Sequence, residues 1–61
     1  LTPDEERLAE ALAVERMHGA GGPAFIAERI GALALAGDAA GVERWRAIAA
    51  RYEQLLTGPP Q

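Results

Sequence analysis

The sequence has no cysteine, no lysine and no serine, and only one each of histidine, tryptophan, tyrosine, phenylalanine and methionine among 61 residues. Each shortage removes a class of function. Without cysteine there can be no disulfide framework and no thiolate metal site, and one histidine cannot build a multi-histidine zinc site. With neither serine nor cysteine there is no common nucleophile. The only small hydroxyls, Thr2 and Thr57, stand near the two ends of the chain. No cofactor motif is present, so the expectation is a protein that is not an enzyme and carries no metal or cofactor. The longest apolar run, Ile30 to Ala36, is far short of the roughly 20 residues that cross a bilayer. The opening stretch Thr2-Pro3-Asp4-Glu5-Glu6 is acidic where a secretion signal is basic. Together with the missing cysteines, this gives the expectation of a cytoplasmic protein. All six basic residues are arginine, which together with abundant Ala and Gly suggests a GC-rich coding sequence.

A chain this short buries only about 60% of its unfolded surface, so a lone core is marginal. Small scaffolds compensate with disulfides, metals, oligomerisation or very regular helix packing, and the first two are excluded here. The net charge of −3 argues against nucleic acid as a partner, because phosphate neutralisation dominates that affinity.

The punctuation predicts an all-α, three-helix domain over 1–61, with helices at about 3–18, 23–36 and 39–57 and a frayed tail at 57–61. Thr2, Pro3 and Glu5 form a capping-box signature with proline in the first helical position. Gly19 supplies a stop, and Gly19-Ala20-Gly21-Gly22-Pro23 reads as a flexible loop. Gly37-Asp38 predicts a tight hairpin between helices 2 and 3, with Asp38 as N-cap. Gly41 is the weak point of helix 3 and could delay its start to Val42.

Helix 3 is amphipathic: Val42, Trp45, Ala49, Tyr52 and Leu56 follow a 3-4-3-4 spacing, opposite Glu43, Arg46, Ala50, Glu53 and Gln54. In helix 1 the face is assigned to Leu8, Ala9, Leu12, Ala13 and Met17, with Arg16 inside it. Helix 2 is apolar all round, with only Glu28 and Arg29 charged between Ala24 and Ala36. Such a helix is expected at the centre of the domain. Two neighbours cannot cover it entirely, so a further surface is expected, most simply a second copy of the chain. The expected core is Ile26, Ile30, Leu33, Trp45, Ile48, Tyr52 and Leu56. The candidate interface is Phe25, Ala32 and Leu35, with Glu28 and Arg29 setting register.

Other features favour plain readings. His18 can be a base or pH sensor, but at a helix C-terminus it also complements the dipole. Glu15, Arg16, His18, Glu28 and Arg29 could gather into a polar cluster, and Arg16 and His18 with Arg29 are the candidate ligand cluster for a small molecule or nucleic acid. The glycine loop lacks the preceding strand and the Lys-Ser or Lys-Thr of a P-loop. Arg44 and Arg51, one heptad apart, read as part of a solvated face.

Two stretches carry a resemblance: Ala11 to Gly19, and Phe25 to Asp38 continuing through Gly41 to Arg51. Together they resemble a family of short, uncharacterised helical proteins from alphaproteobacteria, a domain of unknown function. The resemblance implies a free-standing bacterial protein and supplies no catalytic residue. Ala34 to Asp38, followed by Trp45, Ala49 and Tyr52, is similar to a single tetratricopeptide-type helix pair. Such repeats need about three copies, so groove binding is not carried over. The expectation is therefore a small protein–protein interaction module that self-associates, as a dimer by preference, and serves as an accessory or regulatory subunit.

Overall fold

The computed structural model describes residues 1–58, and those residues are all-helical. Helix α1 spans Pro3–His18, α2 spans Gly22–Leu35 and α3 spans Ala39–Thr57. The helical structure falls into two uninterrupted runs rather than three. A 3-10 turn at Gly19–Gly21 joins α1 directly to α2, so the expected flexible glycine loop is a structured bend. The tail expectation for 59–61 lies outside the described residues, and Thr57 is still helical.

Local chemistry accounts for each boundary. The Thr2 hydroxyl accepts from the Glu5 amide at 3.1 Å, and the Glu5 carboxylate accepts from the Thr2 amide at 2.9 Å. This satisfies two donors that the helix start would otherwise leave orphaned. Helix α2 ends in a Schellman arrangement: the Asp38 amide donates to Leu33 O at 3.0 Å and the Gly37 amide to Ala34 O at 3.1 Å. Gly37 takes φ +74 there, a conformation a side chain would resist. Asp38 then caps α3 by accepting from the Gly41 amide at 2.8 Å. Helix α3 therefore starts at Ala39, and Gly41 does not delay it. A Cβ on Gly41 would lie 2.8 Å from the Asp38 carboxyl carbon and 3.1 Å from Leu33. The glycine lets the capping carboxylate fold back over the helix start.

The core comprises Ala11, Val14, Ile26, Ile48 and Tyr52, with Phe25, Ile30, Trp45 and Ala49 packed at its edge. Burial of the larger of these side chains contributes about 1.5–3 kcal/mol each. Helix α3, not α2, is central: α1 and α2 both pack chiefly on α3 and touch each other much less. The reason is side-chain volume. Helix α3 supplies Trp45, Ile48 and Tyr52, which can fill the space between two neighbours, whereas much of α2 is Ala and Gly. Only Gly22 and Ile26 of α2 are buried.

Two other expectations are corrected. The buried residues of α1 are Ala11 and Val14. Leu8 and Leu12 are partly exposed and Met17 is 77% exposed. A wheel at 100° per residue places the assigned Leu8–Leu12–Met17 face on the wrong side. Small Ala11, with no exposed surface, lets α3 approach closely, which a leucine there would prevent. Arg16 consequently lies outside the core-facing stripe and is exposed. Leu56 is 64% exposed rather than core, because it stands one turn beyond Tyr52, on the rim of the bend. Ile30, Leu33 and Trp45 are half-buried.

Candidate functional site

The bend between α1 and α2 is bolted to α3. The Tyr52 hydroxyl donates to the Gly19 carbonyl at 2.8 Å, and the same carbonyl accepts from the Gly22 amide. Gly22 lies flat against the phenol: an added Cβ would sit 2.5 Å from Cζ of Tyr52. The bend in turn holds His18 next to the first turn of α2.

That placement builds an aromatic edge. The His18 ring stacks on Phe25 with centroids 4.0 Å apart and planes 16° apart. Phe25 meets Trp45 edge-on at 5.8 Å and 71°. The Arg29 guanidinium carbon lies 5.8 Å from the centre of a Trp45 ring, a cation–π distance. Beneath the edge is an open apolar cleft of about 240 Å³ lined by Ala13, Val14, Met17, His18, Phe25 and Trp45.

At one end of the cleft stands Glu10. It accepts from Arg7 Nε at 2.6 Å and from Arg44 Nε at 3.0 Å. Burial pulls its carboxyl upward, but the hydrogen bonds from Arg44 and Arg7 outweigh it, and the group sits below the ordinary glutamate value. Arg51 makes a second tie to α1 by pairing with Asp4. Arg44 and Arg51 are thus not merely a solvated face. They link α3 to α1, although exposed pairs of this kind contribute about 1 kcal/mol or less each. Their heptad spacing was the available signal.

The candidate ligand cluster comes together only in part. His18 and Arg29 both reach the aromatic edge. Arg16 makes no ion pair or side-chain hydrogen bond among the described residues, and neither do Glu15 and Glu28. The candidate interface forms one strip along α2. Phe25 is half-buried at the aromatic edge, while Glu28, Arg29 and Ala32 are exposed and Leu35 is 93% exposed. Ala24, Ala27, Gly31 and Ala34 are also exposed, so the apolar character of α2 is directed outward as well as inward. No helix among the described residues is long and apolar enough to cross a membrane.

No curated protein and no solved structure matches this sequence. A family model does, over residues 3–58, from the first turn of α1 to the residue that ends α3. The chain belongs to that family, DUF6961, a family of unknown function.

Proposed function

We propose that this protein is a small interaction module that self-associates through the outer face of α2. The observation that carries the reading is the exposure of that face. Helix α2 has only two charges along Gly22–Leu35, yet Ala32 and Leu35 stand in water. Burying Leu35 alone would contribute about 1.5–3 kcal/mol. The five buried core residues among those described make a small core for a chain with no cysteine, so coupling folding to association would add stability to it. The test is Leu35→Glu. It should lower the apparent mass on size exclusion while leaving the far-ultraviolet helical signal largely intact. Loss of all helicity would instead put Leu35 in the folding core and defeat the reading.

A second reading rests on the apolar cleft beneath His18, Phe25 and Trp45, which Glu10 also lines, and on Arg29, which lies over the Trp45 ring beside it. A small hydrophobic molecule bearing an anionic group would suit it. Quenching of Trp45, the sole tryptophan, by a panel of aromatic carboxylates would test it. A signal unchanged at millimolar ligand removes this reading.

A further inference from the structure

We infer that Gly19 and Pro23 together hold α1 on the α3 of its own chain, and that the state they exclude is an exchange of α1 between two copies. The inference is independent of the α2 face. Around the break in the helical run from α1 to α2, His18, Gly21 and Gly22 all keep right-handed helical angles, whereas Gly19 takes φ +52 and ψ −125. A side chain would resist that conformation, although a Cβ there would meet nothing within 4 Å. The backbone angle, not space, therefore selects glycine.

Pro23 acts on the same residue's carbonyl. In an unbroken helix the Gly19 carbonyl would accept from the amide of residue 23. Proline has no such hydrogen, and its ring crowds that carbonyl. In the bend the same oxygen turns to other donors, the Tyr52 hydroxyl at 2.8 Å and the Gly22 amide. One residue favours the bend and the other opposes the straight helix.

The packing shows what a straight run would do. Helix α1 packs chiefly on α3 and touches α2 much less. Its Ala11 and Val14 share the core with Ile48, and the Glu10–Arg44 and Asp4–Arg51 pairs join the same two helices. With α1 continuing α2 in one line, its 16 residues would project about 24 Å and could not fold back onto α3. Ile48, now fully buried, would lose that cover. The α1 of a second copy carries the matching strip and the matching charges. Two chains that trade α1 rebuild the α1–α3 packing and lose only the contacts of the bend, the His18–Phe25 stack among them. Such an exchange closes on itself with two copies.

The test is the double variant Gly19→Ala with Pro23→Ala in the full chain, which removes both restraints. It should run at the mass of two chains and keep its helical signal. The absence of cysteine allows spin labels at Asp4→Cys and Arg51→Cys. Chains of the double variant carrying one label each, refolded together from urea, should show a short distance between chains. It should match the distance within a single chain that carries both labels and keeps Gly19 and Pro23. The same mixture of chains keeping Gly19 and Pro23 should lack it. A dimer through the outer face of α2 pairs positions 4 and 51 only within each chain, so the labels separate the two associations. A double variant that stays monomeric, loses its helical signal, or dimerises without the short distance between chains overturns the inference.

Discussion

Gly22→Ala should destabilise this protein although the substitution favours helix in general. Gly22 has φ −56 and ψ −49, an ordinary helical conformation, so backbone freedom does not require glycine there. Space does: the new methyl would lie 2.5 Å from Cζ and 2.9 Å from Cε2 of Tyr52, inside van der Waals contact. The phenol must move, and it is buried with its hydroxyl bonded to Gly19. Overpacking of this kind costs about 1–3 kcal/mol, and losing the Tyr52–Gly19 bond adds about 1 kcal/mol. In a domain this small each kcal/mol lowers Tm by roughly 4–8 °C. Gly31→Ala is the control, because an added methyl there meets nothing within 4 Å. It should raise stability by up to about 1 kcal/mol. Thermal melts followed at 222 nm at one protein concentration compare the three chains. A Gly22→Ala protein as stable as the Gly31→Ala one would refute the claim that the bend is clamped against Tyr52.

Tyr52→Phe removes the same hydrogen bond without overpacking. It should cost about 0.5–1.5 kcal/mol in urea unfolding, since the Gly19 carbonyl keeps its bond from the Gly22 amide. Glu10→Gln should flatten the acid limb of stability. The folded-state pKa of Glu10 is depressed, so its contribution is fully present above the unfolded value of about 4.3. That contribution is lost as pH falls through the lower folded value. Urea midpoints between pH 6 and pH 3 measure this, and parallel curves for the two proteins would contradict the assignment.

The features legible in the sequence were those set by local chemistry. The capping box at Thr2 and Glu5, the tight Gly37-Asp38 connection and the Asp38 cap each depend on a few neighbouring residues, and each is present. Relations between helices were harder to read. The apolar content of α2 suggested a central helix, but centrality follows from side-chain volume, and Trp45, Ile48 and Tyr52 belong to α3. The buried face of α1 was mistaken because Leu8 and Leu12 outweigh Ala11 and Val14 in hydrophobicity. Close approach of two helices favours the smaller residues. The stack of His18 on Phe25 depends on the angle of the bend, which no spacing rule encodes. The pairing of Glu10 with Arg44 joins residues 34 apart, beyond any local pattern.

Self-association is tested most directly by the molar mass of the unmodified protein, measured by light scattering behind size exclusion from micromolar to millimolar loading. The account predicts a mass that rises with concentration toward twice the chain mass of 6.4 kDa. A mass fixed at that of one chain across the whole range would contradict it.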